Sequence, residues 1–265
     1  MEKIALIAGG GRLPIIFAEK ARTQGAKIIG IGIKGMASSD LGNFCNRTHW
    51  LDPREIKKLF LLFIIERIKK VVMLGKVDKS IIYAKINKND KTLNILKNSE
   101  NKSDYAILEK VTSEFEKRGI KVINGIEYLS DLLPSKGVLT KRVPTQKEYD
   151  DISFGFKTAK EIARTDIGQT IVIKDKSVVS IEAMEGTDRT IERAAKLCTG
   201  FVVVKVSRPQ QDMRWDVPVV GPETIKLIVE NKGKVLAMEE KRMFLVEKEA
   251  SIELADKNDI SIVVM

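Results

Sequence analysis

Ile4-Ala5-Leu6-Ile7-Ala8-Gly9-Gly10-Gly11-Arg12-Leu13-Pro14 is the stretch whose reading decides the fold. Five apolar residues make a short buried strand, three glycines make a tight turn, and Pro14 suits the first turn of a helix that Gly25 can close. Working outward, Lys27 to Ile33 reads as a second strand. Asp52-Pro53-Arg54-Glu55 has the order of a capping box and predicts a helix running to about Lys69. Val71 to Leu74 is a third strand ending in Gly75-Lys76, and the Asn- and Lys-rich passage from Asn87 to Lys102 reads as loop. Ser103 is expected to cap a helix with Leu108, Val111 and Phe115 on one face, ended by Gly119, before a strand from Ile120 to Ile123. Strands alternating with helices predict a Rossmann-like, doubly wound parallel α/β sheet.

The period breaks around Leu133-Pro134-Ser135-Lys136-Gly137, which predicts two α/β domains, 1–134 and 135–265, the second with a mixed sheet. Thr145 and Glu148 form another capping box, opening a helix that ends near Arg164. Thr170 to Lys174 and Val178 to Glu182 read as a hairpin turned by Asp175-Lys176, and Thr187 as the cap of a helix reaching about Cys198. Phe201 to Val206 is a buried strand, Pro222 starts a helix that Gly233 ends, and Val235 to Ala237 with Met243 to Glu247 reads as a second hairpin. A short helix and a strand from Ile260 to Val264 finish the chain.

The chain has 265 residues, 43% of them hydrophobic, which is ample for two packed cores, and a formal net charge of +10 that favours anionic partners. Its lysines are distributed and its aromatic content is low, so nucleic acid is not an expected partner. Cys45 and Cys198 stand far apart with no paired spacing, which argues against a disulfide framework or a zinc site and for a reducing compartment. His49 is the only histidine, so metal chemistry built on imidazole clusters is excluded. No secretory leader is evident. The most apolar run, Leu59 to Ile65, falls far short of the roughly 20 residues that span a bilayer. A cytoplasmic protein is the expectation.

Five segments could carry chemistry. The turn at Gly9, Gly10 and Gly11 could offer backbone N–H groups to an anion at a helix N-terminus. Leu13 and Pro14 break the dinucleotide pattern and Lys34-Gly35 stands where a ribose-binding acid would fall, so the marks of NAD or ATP are absent. Gly75-Lys76 adds a backbone approach and a cation at the carboxyl end of a strand. Asp166-Ile167-Gly168-Gln169 precedes one strand of the second half. Glu182-Ala183-Met184-Glu185-Gly186-Thr187-Asp188 follows the next, and Asp188 could equally serve the dipole of the helix it opens. Finally Ser207-Arg208-Pro209-Gln210-Gln211-Asp212-Met213-Arg214-Trp215-Asp216 packs two arginines, two carboxylates and two amides between apolar runs. It reads either as a site loop or as a solvated one. If these loops meet, carboxylates with Gln and Arg are the kit for phosphate and oxygen-ligated magnesium.

In combination the Ile7 to Pro14 segment, Asp166 to Gln169, Glu182 to Asp188 and Asp212-Met213-Arg214-Trp215-Asp216-Val217-Pro218 closely resemble the LpxI family of UDP-2,3-diacylglucosamine pyrophosphatases, over the whole chain and in order. The resemblance implies two α/β domains with the active site between them. It implies magnesium-dependent, cytoplasmic hydrolysis of the substrate's pyrophosphate to UMP and 2,3-diacylglucosamine 1-phosphate (lipid X) in lipid A synthesis. Carried over by motif, Asp216 is catalytic with Arg214 beside it, and Asp216 is expected either to bind the magnesium or to orient the attacking water. Gly10, Gly11, Gly75, Lys76, Asp166, Gln169, Glu185, Thr187, Asp188, Arg208 and Gln210 bind substrate. Phe154, Phe156 and Met184 are candidates for an acyl cleft, with ordinary core as the alternative. Peripheral contact with the inner membrane surface and a homodimer stay open as further partners. The rival readings are another nucleotide-sugar hydrolase and a non-catalytic nucleotide-binding regulator.

Overall fold

The computed structural model describes residues 2–77, 104–214 and 217–265. The expected loop from Asn87 to Lys102 and the Ser103 cap lie outside the described residues. By internal contact the chain divides into two units. The first reaches Ser130 and also takes in Met213 and Arg214, and the second starts at Asp131.

The first unit is a five-stranded parallel sheet in the order β3-β2-β1-β4-β5. Its described elements are β1 (Lys3–Ala8), α1 (Leu13–Thr23), β2 (Lys27–Ile33), α2 (Leu41–Phe44), β3 (Arg47–Leu51), α3 (Ile56–Ile65), β4 (Lys70–Leu74), α4 (Asp104–Glu116), β5 (Lys121–Val122) and α5 (Ile126–Leu129). The chain winds outward from β1 through β2 to β3, then crosses back to β4. Both centre strands, β1 and β4, are apolar because both sheet faces are covered. On one face Phe63, Ile68 and Phe115 pack against Ala5, Ile29, Val71 and Met73. On the other Phe17 of α1 meets Tyr128 edge-on, ring centroids 5.4 Å apart. The doubly wound expectation therefore holds for the described strands.

This half gains a strand, and one of its helices is shortened. Arg47-Thr48-His49-Trp50-Leu51 is an edge strand, which tolerates the polar composition that hides it in the sequence. His49 faces the buried Glu66, which also accepts from Arg47 Nη1 at 2.8 Å. The helix expected from Asp52 begins only at Ile56. Arg54 bonds both Asp52 oxygens, at 2.6 and 2.7 Å, and Asp52 N donates to Glu55 Oε2, so the box residues close a turn ahead of the helix. The helix also stops early, at Ile65. Arg67 turns left-handed (φ 52°) and Ile68 N donates to Phe63 O at 2.8 Å, the wrap-back bond of a Schellman end.

The second unit is a six-stranded mixed sheet, β6-β13-β11-β9-β7-β8, with a separate parallel pair β10-β12. Its elements are β6 (Gly137–Val138), α6 (Gln146–Arg164), β7 (Thr170–Lys174), β8 (Ser177–Ile181), α7 (Gly186–Ala195), β9 (Val202–Lys205), β10 (Val219–Val220), α8 (Pro222–Glu230), β11 (Val235–Met238), β12 (Phe244–Leu245), α9 (Lys248–Lys257) and β13 (Ser261–Val264). Alternation along β9 sorts the core: Val202 and Val204 pack with Ile152, Ala159 and Ala163 of α6, while Val203 packs with Ile191, Ile225 and Ala255 opposite. Gly155 lets α6 approach, since a Cβ there would meet Val204 Cγ2 at 2.7 Å. The Thr145–Glu148 capping box forms in both directions. The β7–β8 hairpin turns through Asp175 and Lys176, both left-handed.

The second expected hairpin does not form. Val235–Met238 is buried along its whole length and pairs in parallel with β9 and β13, whereas Phe244–Leu245 pairs with β10. A run without alternation marks a strand covered on both faces, which a hairpin arm seldom is. α7 spans Gly186–Ala195, and Thr187 lies inside it with its hydroxyl committed elsewhere, so it is not the cap.

Candidate active site

In the second unit, β7 runs antiparallel to both β8 and β9, with Thr170 opposite Lys205 and Ile171 opposite Ile181. The start of β7 and the ends of β8 and β9 therefore share one edge of the sheet. The segments Asp166 to Gln169, Glu182 to Thr187 and Lys205 to Gln211 all leave from there. Topology alone thus gathers three of the segments singled out in the sequence.

The first cluster is built on Arg208, whose side chain is about 10% exposed. Its Nε lies 2.7 Å from Asp166 Oδ1. That approach is an ion pair without a hydrogen-bonding line from Nε. In the amide orientation its neighbours demand, Gln169 accepts from Arg208 Nη1 at 3.1 Å and donates to Gln211 Oε1 at 3.0 Å and Val206 O at 3.1 Å. Gln211 Oε1 also accepts from Arg208 N at 2.9 Å. Asp166 reaches its place because it follows the end of α6 in the left-handed conformation (φ 60°), where a short polar side chain substitutes for glycine. A guanidinium held this way presents a fixed fork suited to phosphate oxygens.

The second cluster centres on Glu182. Its Oε2 accepts from Gln169 N at 3.1 Å and its Oε1 from Thr187 Oγ1 at 2.9 Å. Lys205 Nζ donates to the same Thr187 hydroxyl at 3.1 Å, and Thr170 Oγ1 lies 3.3 Å from it. Gly168 permits this closeness, because a Cβ there would overlap the Glu182 carbonyl.

Below the start of the Arg208 loop sits a third group. Ser207, fully buried, donates its N and its Oγ to Glu239 Oε2, both at 2.8 Å, and Lys160 Nζ of α6 reaches both Glu239 oxygens and Ser207 O at 3.0 Å. Burial alone would raise the Glu239 carboxyl, but the Ser207 amide and hydroxyl and the Lys160 ammonium outweigh it and hold the group below its ordinary 4.5. Because the folded value is depressed, the stabilisation is complete above the unfolded value and is lost as pH falls through the folded one. Lys160→Met and Glu239→Gln are each expected to lose about 2–3 kcal/mol in urea unfolding at neutral pH, since each leaves a partly buried charge uncompensated, and the double variant to recover part of it. Glu239→Gln should also flatten the acid limb of the stability curve. A curve parallel to that of the wild type would refute the charge linkage.

Other expected site residues fall elsewhere. Gln210 is exposed in the turn, and its neighbour Gln211 takes the inward place. Glu185 binds Arg193 Nη2 at 2.6 Å, and its carboxyl is lowered by its own backbone N–H, against burial, with help from that guanidinium. Asp188 is exposed in the first turn of α7, where a carboxylate favours the helix dipole. Phe156 packs with the α6 core, Phe154 is partly exposed, and Met184 is exposed. Glu182, Ser207 and Gln211 lie within the segments singled out in the sequence without being named there as site residues, whereas Lys205, Lys160 and Glu239 lie outside them. Only the strand-end positions of Lys205 and Glu239 could have signalled the latter group.

In the first unit, Gly9 and Gly10 follow β1 and Gly75-Lys76 follows the neighbouring β4, at the point where the strand order reverses. Gly9 N donates to Leu74 O at 2.8 Å, Gly10 N to Lys76 O at 2.7 Å and Lys76 N to Gly10 O at 2.9 Å. These amides strap two turns together, and Gly75 (φ 95°) allows it, because a Cβ would meet Gly10 O at 2.7 Å. Gly11, left-handed at φ 91°, has no neighbour within 4 Å of where a Cβ would sit, so its surroundings are open. Crevices at such reversals are where open α/β sheets receive ligands. Arg214 belongs to this unit and donates to Glu116 Oε1 at 2.8 Å. Asp216 lies outside the described residues.

Among the described residues, no three His, Cys, Asp or Glu side chains gather as a metal cage. The acids at the sheet edge, Asp166, Glu182 and Glu239, are bonded to a guanidinium, an ammonium or N–H and O–H donors. They do not by themselves fit a resident magnesium ion. Among the described residues, no helix is long and apolar enough to cross a membrane.

Comparison with known proteins gives a consistent result. The chain is 30% identical over 267 aligned positions, 97% of this chain and 95% of the relative, to UDP-2,3-diacylglucosamine pyrophosphatase LpxI of Caulobacter vibrioides. Among solved structures, the biotin carboxylase subunit of pyruvate carboxylase is 12% identical with a TM-score of 0.29, covering 74% of this chain and 41% of its own. UDP-glucose-4-epimerase from Stenotrophomonas maltophila, with bound NAD and formylated UDP-arabinopyranose, is 9% identical with a TM-score of 0.34, covering 100% and 86%. Likenesses this remote carry no argument. The model of the LpxI N-terminal domain matches residues 3–132 and that of the LpxI C-terminal domain residues 135–263, so the chain belongs to the LpxI family.

Proposed function

We propose that this chain is a hydrolase that cleaves the diphosphate of UDP-2,3-diacylglucosamine to UMP and 2,3-diacylglucosamine 1-phosphate, a step of lipid A synthesis. The observation that carries this reading is the end-to-end match, at 30% identity, with the Caulobacter relative of that name. The sheet-edge network of the second unit supports it. Arg208, fixed by Asp166, Gln169 and Gln211, supplies the rigid positive charge that a diphosphate requires, and it does so without further reorganisation.

In the proposed reaction, water attacks one phosphorus, the bond from that phosphorus to the bridging oxygen breaks, and the bridging oxygen leaves on the other phosphate. Asp216 orients the water and accepts its proton. Arg208 and Arg214 neutralise charge developing on the bridging and leaving oxygens. Gln169 and Thr187 at the same sheet edge are the proposed contacts with the remainder of the substrate. A magnesium ion carried in by the diphosphate would neutralise its charge. Peripheral contact with an inner membrane surface is part of the same reading, because the substrate is a lipid.

The test is UMP release by the purified full chain from the diacylated substrate and from its deacylated counterpart, with magnesium and after EDTA treatment. Turnover of the diacylated substrate, lost with EDTA and restored by magnesium, is expected. Equal turnover of the deacylated compound would make the chain a general UDP-sugar hydrolase, and binding without turnover would make it a regulator.

A further inference from the structure

We propose that the outward face of α3 is the surface by which this protein docks on an anionic lipid bilayer. The inference deepens the reading of a lipid substrate and rests on it only for its purpose. The surface itself stands on exposure and charge. α3 is apolar nearly all round: Phe63 is buried and Leu59 and Phe60 pack beside it, yet Leu61, Ile64 and Ile65 are 55%, 73% and 63% exposed. A helix apolar on every side belongs in a core or against lipid, and here only one side has a core. Residues 57, 61, 64 and 65 fall on one stripe at helical spacing, so the three aliphatic side chains form a single patch.

Charge selects the occupant. Lys57 and Lys58 are exposed at the start of the helix, Lys58 sharing Glu55, and Arg67 and Lys69 are exposed just past its end. Glu66, the acid at the helix end, is 6% exposed and turned to Arg47 and His49, which keeps negative charge off this face. Apolar residues bracketed by cations are the pattern of helices that lie in the interface of an acidic membrane. A second copy fits worse. A twofold contact through the same helix would set the Lys57 end against the Arg67 and Lys69 end, cation against cation.

The experiment is co-sedimentation of the full chain with vesicles of phosphatidylcholine, with and without phosphatidylglycerol. Wild type is expected to bind the phosphatidylglycerol vesicles, more weakly as salt rises. Leu61→Ser/Ile64→Ser/Ile65→Ser, all at exposed positions, should lower partitioning by about tenfold or more, and Lys57→Glu/Lys69→Glu should abolish the preference for phosphatidylglycerol. Undiminished sedimentation of the serine variant would overturn the proposal. So would absence of wild-type binding, or loss of a dimer in light scattering with vesicle binding unchanged, which would mean that a second copy covers the face. Turnover of detergent-dispersed UDP-lipid is read in parallel and should survive in both variants. If wild type binds vesicles but turns over nothing, the hydrolase reading fails and the surface stands.

Discussion

Asp216→Ala is expected to lower kcat for UMP release by about 10²–10⁴, the range that a positioned general base supplies. Water is a weak nucleophile near neutral pH, and the diphosphate's own charge repels hydroxide, so the proton must leave as the oxygen attacks. A carboxylate can both hold the water and take that proton. Asp216→Asn keeps the shape and one acceptor but cannot take the proton, and it should lose nearly as much. Unchanged thermal unfolding in both variants would place the loss in chemistry. Near-normal rates in either would remove Asp216 from the reaction.

Arg208→Met should cost about 10²–10³ in kcat, the effect of deleting one preorganised donor to developing charge. Arg208→Lys should not restore it, because an ammonium cannot hold Gln169 and the Asp166 side at once while facing a phosphate. Because Arg208 and Asp166 approach to 2.7 Å, a stability loss is expected to accompany the single change. Adding Asp166→Asn removes the stranded carboxylate, so the double variant should regain stability and still fail to turn over. A double variant that recovers both would reduce Arg208 to a scaffold residue.

Much of the fold was legible because its strands are apolar on both faces and its helices carry explicit ends. The glycine turn after β1, the Thr145–Glu148 box and the Asp175-Lys176 turn each fix a local geometry that tertiary packing leaves alone. The failures share a cause. β3 is an edge strand whose pattern is diluted by Arg47 and His49, and the α3 start is shifted by an Arg54–Asp52 contact that no spacing rule encodes. Pairing partners of β11 and β12 depend on contacts far along the chain, so two adjacent apolar runs were joined wrongly.

The candidate site was legible by segment and less so by residue. Asp166, Gln169, Thr187 and Arg208 are drawn to one sheet edge, as polar residues flanking strands would be. Gln210 and Gln211 have the same chemistry, and only the turn at 209–210 decides which points inward. Lys160 and Glu239 sit 79 positions apart and meet through sheet order, which leaves no local trace.

The most direct test is a product assay on the wild-type chain with UDP-2,3-diacylglucosamine, following UMP and the lipid phosphate together. Equimolar UMP and 2,3-diacylglucosamine 1-phosphate is the result the account predicts. Recovery of intact substrate under conditions where the chain is folded and binds it would contradict the account.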